Sequence, residues 1–251
     1  MTDADAATEV ADVGDAPTEI EVPADPLAGH PASAYFWGHV AGSGDVSSDR
    51  LEVVTNDEAS AQVLATVAGG DIEHDTISRE YAHDASITRT EDEYALAIET
   101  DETNELLGRT TTLGLPVDGR GNYRFGAFSG YERALLRGLL EGCGTICFKS
   151  SSGTVGISFV HEDRRLLELT QELIAEAPVD APFGNLSATS SGGYWFGIDD
   201  SAASAFGTWL YEGCEETGCF APSRRRKLEL SLAQAEGGDE DGTETKDADE
   251  E

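Results

Sequence analysis

An α+β fold of two similar halves is what this sequence predicts, and three observations predict it. One nine-residue pattern occurs twice, one hundred residues apart: Phe36-Trp37-Gly38-His39-Val40-Ala41-Gly42-Ser43-Gly44 and Leu136-Arg137-Gly138-Leu139-Leu140-Glu141-Gly142-Cys143-Gly144. Each copy is mainly apolar, with glycine at its third, seventh and ninth positions. A comparable succession of strand and helix patterns follows each copy. Tyr94 and Tyr194 then stand at matching places, each fifty residues after the last glycine of its copy. A long-period internal repeat implies two related structural units and a pseudo-dyad between them.

The glycines also predict how the halves meet. Gly38 and Gly42 are four residues apart, as are Gly138 and Gly142, so on a helix each pair shares one face. Glycine inside a helix costs roughly 1 kcal/mol relative to alanine. A glycine stripe repeated in both copies is therefore expected where two helix backbones touch.

The elements follow in order. In the second half the pattern predicts strands over 145–149 and 155–160, joined by a Ser/Gly turn. A helix over 163–177, a hairpin over 183–198 and a helix ending at Trp209-Leu210-Tyr211 complete it. In the first half it predicts a strand over 51–55, a helix over 58–68, a strand pair within 77–99 and a short helix near 104–108. Residues 119–130, opening on Gly119-Arg120-Gly121-Asn122, read as a linker. Two repeats, 31–118 and 131–235, are thus expected, flanked by tails over 1–30 and 236–251.

Composition describes the surroundings. The chain holds 49 acidic against 16 basic residues, a formal charge of −33, and only three lysines. Such self-repulsion strains a compact domain at ordinary ionic strength. At molar salt the Debye length is about 3 Å and the repulsion is screened. The balance points to a high-salt cytoplasm of the archaeal, halophilic kind. Residues 1–30 carry eight acids and no Lys or Arg, and residues 236–251 carry nine acids and one lysine. Both are poor in large apolar groups and are expected to be disordered. No leader pattern and no apolar run long enough for a membrane span is present. A soluble, cytoplasmic protein follows as the expectation, a monomer because a pseudo-dyad is satisfied internally.

The nonapeptides resemble the motif of the LAGLIDADG homing endonucleases and their non-cleaving relatives. LRGLLEGCG is the better match and FWGHVAGSG the degenerate one. The resemblance covers about residues 34–232. It implies two αββαββα repeats, motif helices packed at the pseudo-dyad through Gly38, Gly42, Gly44, Gly138, Gly142 and Gly144, and antiparallel sheets forming a saddle for double-stranded DNA. Active members carry an acid at the eighth motif position, where the two carboxylates hold divalent metal. Here Ser43 and Cys143 stand there. Mg²⁺ requires hard oxygen ligands, so the resemblance implies a scaffold without nuclease chemistry and no catalytic residues. Glu141, at the sixth position, is structural in the family.

Two functions remain open. The first is a non-catalytic DNA-binding protein, a transcriptional regulator in this reading. Its phosphate contacts would come from Lys149, Arg124 and the cluster Arg224-Arg225-Arg226-Lys227, whose plainer role is a solvated helix face. Acids crowding residues 80–99 weigh against a groove binder. The second uses the thiols. Cys143, Cys147, Cys214 and Cys219 form two close pairs, and four thiolates can hold zinc or another soft divalent metal. That would suit an accessory protein of a metal-cofactor pathway such as cobalamin biosynthesis, although the spacings differ from the usual C-x2-C knuckle. No Ser-His-Asp order and no phosphate-cradling Gly-Lys loop appears.

Overall fold

Both glycine-marked segments are helices at the centre of the molecule. The computed structural model describes residues 19–47, 49–81, 84–99, 112–116 and 121–240. Helix α1 spans Pro31–Ser43. Proline at its first turn suits the fixed φ of a helix start, and Nδ1 of His30 caps it by accepting the Ala32 N–H. Every residue from Ala32 to Gly42 is buried. A helix apolar on all sides has no solvent face and belongs at the core. Helix α3, Glu132–Cys143, is its counterpart, buried from Ala134 to Glu141.

Each motif helix runs directly into a sheet. In the first repeat β1 (Gly44–Val46) and β2 (Arg50–Thr55) lead to α2 (Glu58–Ala68), then β3 (Asp71–Tyr81) and β4 (Asp84–Glu99). Asp57 caps α2 through the N–H groups of Ala59 and Ser60, and Gly69 ends it at φ 73°, a left-handed conformation open to glycine. In the second repeat β5 (Gly144–Lys149) and β6 (Thr154–His161) lead to α4 (Arg164–Ala175), β7 (Ser187–Ala188) and β8 (Tyr194–Gly197). The strand orders are β1-β2-β4-β3 and β5-β6-β8-β7, with every pairing antiparallel. The registers agree as well. Gly44 faces Val53 as Gly144 faces Phe159, and Thr55 faces Tyr94 as His161 faces Tyr194. This is the αββαββα pattern repeated, with the two tyrosines at equivalent places.

Some boundaries differ from those expected. The pair expected within 77–99 begins at Asp71, because the two strands pair along almost their whole length. The hairpin expected over 183–198 is short, held by two residues of β7 and a bridge from Phe183 to Ile198. Three helices follow among the described residues: α5 (Asp200–Tyr211), α6 (Cys214–Thr217) and α7 (Pro222–Glu240). Residues 19–30, expected as part of the tail, reach the core: the Trp37 indole N–H donates to the Pro26 carbonyl at 2.9 Å. The helix expected near 104–108, residues 1–18 and residues 241–251 lie outside the described residues.

The helix pair meets through its glycines, and the contact is reciprocal. A Cβ on Gly38 would lie 2.3 Å from the Leu135 carbonyl oxygen, and one on Gly138 would lie 2.1 Å from the Tyr35 carbonyl oxygen. Tyr35 and Leu135 precede their motifs by one residue each. Lower down, Gly42 and Gly142 face each other, each Cα 3.2 Å from where the other's Cβ would be. Only a hydrogen side chain fits there. Gly44 and Gly144 instead sit against their own helices, close to Val40 and Leu140.

Candidate functional site

Two clefts open beside the feet of the motif helices, each lined by residues of both repeats. The first cleft is beside the second sheet and has a volume of about 520 Å³; it takes in Ser43, Val160, His161 and Glu162. The second, about 240 Å³, takes in His39, Ser43, Val54, Thr55, Asn56, Glu141 and Arg224. Val54, Thr55 and Asn56 correspond in register to Val160, His161 and Glu162. The strand ends that border the two clefts are therefore related by the pseudo-dyad.

Glu93 and Glu141 line the second cleft and Glu162 the first, but no group of three or more His, Cys, Asp or Glu side chains among the described residues is placed to hold a metal. The Ser43 hydroxyl donates to the His39 carbonyl, and the Cys143 thiol donates to the Leu139 carbonyl at 3.3 Å. Both eighth-position side chains are turned back onto their own helices. Burial pushes the Cys143 thiol up to about 12, so it stays protonated at neutral pH. A hydroxyl and a protonated thiol do not fit a hard divalent cation.

The four cysteines do not form the metal site that their pairing predicts. Among the described residues no group of three or more His, Cys, Asp or Glu side chains is placed to hold a metal. Cys147 lies on β5, whereas Cys214 and Cys219 are buried around α6, each with its thiol raised to about 11 by burial. The cause is topological: Cys143 ends a central helix, while Cys214 begins a helix beyond the last strand. Cys214 and Cys219 are packed core groups, and Cys143 and Cys147 are half-buried.

The expected phosphate contacts are dispersed too. Arg225 is held by Glu215 and Glu229 and stacks over Phe220. Lys149 bonds Asp200 at 2.5 Å. Arg124, Arg226 and Lys227 are exposed, and Arg124 sits on the segment paired with Leu113. Arg224 lines the second cleft, half-buried, with no ion-pair partner among the described residues. The tetrad is one turn of α7, so its four side chains point around the helix and do not share a face.

The outward faces of the two sheets differ sharply in charge. On the first, Asp45, Glu52, Asp71, Glu73, Asp75, Glu93 and Glu99 alternate with the buried Leu51, Val53, Leu96 and Ile98. On the second, Thr145, Cys147, Ser158, Val160 and Trp195 occupy the outward positions, and no strand of that sheet carries an acid. Val160 and Trp195 are cross-strand neighbours, 45% and 43% exposed.

The family is decided by the sequence match. A LAGLIDADG family described as "Putative archaeal homing endonuclease" matches residues 13–238. The chain belongs to this LAGLIDADG family. Its fold is the LAGLIDADG fold, two antiparallel four-stranded sheets around paired motif helices. Among solved structures it is similar to full-length DUF199/WhiA from Thermatoga maritima, at 13% identity and TM-score 0.47, over 86% of this chain and 63% of that one. It therefore spans less than two thirds of the WhiA chain. It is also similar to I-DmoI in complex with DNA and Mn, at 12% identity and TM-score 0.45, over 75% of this chain and 99% of that one. Its likeness to I-WcaI bound to its DNA recognition sequence has 10% identity and TM-score 0.48, over 80% of this chain and 87% of that one. None of the curated proteins compared matches the chain. Among the described residues no helix is long and apolar enough to cross a membrane.

Three buried polar residues matter to this LAGLIDADG helix pair. Glu141 sits across the repeat interface: its Oε2 accepts the Tyr35 hydroxyl at 2.6 Å and the Ala221 N–H at 2.9 Å. Burial raises its carboxyl above the usual range, although Tyr35, the Ala221 N–H and Arg137 oppose the rise. Arg137 donates to the carbonyls of Cys219 and Leu210, tying α3 to the chain around α6. His39, at the fourth motif position, is 2% exposed. Burial and then the Arg224 charge lower it to about 4. Its folded value lies below the unfolded one, so its contribution to stability is complete above pH 6.5 and is lost as pH falls towards 4. That span corresponds to roughly 3 kcal/mol. His39→Leu, which copies Leu139 of the other motif, is expected to lack this loss when unfolding is measured across that range.

Proposed function

We propose that the chain is a non-cleaving LAGLIDADG protein that binds double-stranded DNA through the outward face of its second sheet, as a transcriptional regulator in a high-salt cytoplasm. One observation carries this reading: in a chain with 49 acidic residues, the strands of that sheet hold none. Carboxylates repel phosphates, so a face cleared of them favours a polyanion partner. Thr145 and Ser158 supply hydroxyls for base edges, and Val160 and Trp195 supply apolar contact of the kind thymine methyls accept. At molar salt, non-specific phosphate affinity falls steeply, so recognition of this kind rests on bases and shape. The acidic first sheet would stay off the duplex, leaving a half-length footprint from repeat 131–235. Ser43 and Cys143 support binding without cleavage.

Selection of duplexes from a random pool in molar KCl, followed by mobility shift, tests it. An enriched sequence is expected, bound at least tenfold less tightly by Trp195→Ala and unchanged by Glu73→Gln on the acidic sheet. The absence of any enriched duplex from low to molar salt, or equal loss from both variants, contradicts the reading. Nicking of DNA with Mg²⁺ contradicts the non-cleaving part.

A further inference from the structure

The larger cleft, about 520 Å³, lies within the size range of small-molecule sites. Val40, Val46, Leu115, Pro116 and Val160 give it apolar walls. Among the described residues no lysine or arginine lines it, and the one charged group is the Glu162 carboxylate. A phosphate or carboxylate ligand would meet repulsion there. A neutral molecule with apolar faces and polar edges would not.

The polar groups narrow the choice. Nδ1 of His161 accepts the Asp163 N–H at 2.9 Å, so in the neutral ring the proton is on Nε2. Burial lowers this imidazole and favours the neutral form, against the pull of Asp163 and Glu162. His161 therefore brings a fixed donor to the cleft, and its chain neighbour Glu162 brings an acceptor. Thr189 and Ser191, joined hydroxyl to hydroxyl at 3.0 Å, line the opposite hairpin. A donor beside an acceptor between apolar walls matches an edge that carries an acceptor next to a donor. Purine and pyrimidine bases have such edges. Val160 connects this cleft to the exposed Trp195 on the sheet.

We infer that the cleft formed by the α1 foot, the end of β6 and the β7–β8 hairpin binds a neutral nucleobase through His161 and Glu162. The base could come from a free nucleoside or from one base drawn out of a bound duplex. Free nucleoside binding does not depend on the DNA-binding reading.

Guanosine is the probe, titrated into the full chain in molar KCl by calorimetry and by Trp fluorescence. Saturable binding is expected, at least tenfold weaker for guanosine 5′-monophosphate, since no lysine or arginine among the described residues lines the cleft to meet the phosphate. Glu162→Gln, at an exposed position that the fold tolerates, is expected to weaken guanosine at least tenfold. A duplex carrying 2-aminopurine separates the sources. A fluorescence rise on binding assigns the base to DNA, whereas guanosine binding without such a rise assigns a free nucleoside. The inference is overturned if guanosine does not saturate and 2-aminopurine does not brighten. Nucleotide binding as tight as nucleoside binding, or no effect of Glu162→Gln, also overturns it. A duplex that binds without either base signal leaves the sheet-face reading intact and removes this one.

Discussion

Gly138→Ala is expected to destabilise the protein by about 3 kcal/mol or more, and Gly38→Ala by a similar amount. The added methyl would stand 2.1 Å from the Tyr35 carbonyl oxygen in one case and 2.3 Å from the Leu135 carbonyl oxygen in the other. Carbon and oxygen normally approach no closer than about 3.3 Å. The obstacle is backbone, so no rotamer change relieves it, and the helices must move apart by about 1 Å. Separation would loosen Tyr35, Phe36 and Leu139, all buried between the repeats. Alanine's better helix propensity returns only about 1 kcal/mol. Gly237→Ala is the control, because α7 leaves open space around that glycine. Denaturant unfolding in molar KCl should show a large drop for the two motif variants and no loss for Gly237→Ala. Equal midpoints for Gly138→Ala and wild type would mean that the helices are not in backbone contact.

Glu141→Ala is expected to cost about 3 kcal/mol or more, whereas Glu141→Gln is tolerated. Removing the carboxylate leaves the Tyr35 hydroxyl and the Ala221 N–H buried without an acceptor, at roughly 1–3 kcal/mol each. A glutamine carbonyl can accept both bonds. The two variants also differ in pH dependence. Burial raises the Glu141 carboxyl, so its folded value exceeds the unfolded one. Its contribution is favourable below the unfolded value and is lost as pH rises through the folded value. The stability difference between Glu141→Gln and wild type should therefore grow in favour of glutamine as pH rises through the range above 4.5. Comparing the pair cancels the titration of the many surface acids. A difference that stays constant with pH would mean that the carboxyl is not desolvated.

Much of this arrangement was legible in the residues. The glycine spacing anticipated two central helices, because only a tight backbone contact offsets the propensity cost of glycine twice over. The α2 helix followed from local pattern over 58–68, whereas the strand after it begins earlier than that pattern placed it. The acid-free runs 144–161 and 183–198 are also visible in the chain, although their meaning is not. Only pairing of β5, β6, β8 and β7 lays them side by side as one face. The cysteines show the converse. Close spacing in sequence hinted at a shared metal, but a helix end, a strand and a terminal turn carry them apart. The basic tetrad is spread out for a related reason, since four consecutive helical residues point in four directions and Arg225 is engaged by its neighbours.

The chain alone determined the duplication, the glycine contact and the absence of metal-binding acids at both motif ends, because each depends on residue type and short-range spacing. The tertiary structure decided what long-range pairing controls: which sheet face is free of carboxylates, where His161 and Glu162 meet the α1 foot, and how Glu141 reaches Tyr35. Those groups lie up to 106 residues apart. Side chains that distant become neighbours only when helix packing and strand register are settled together.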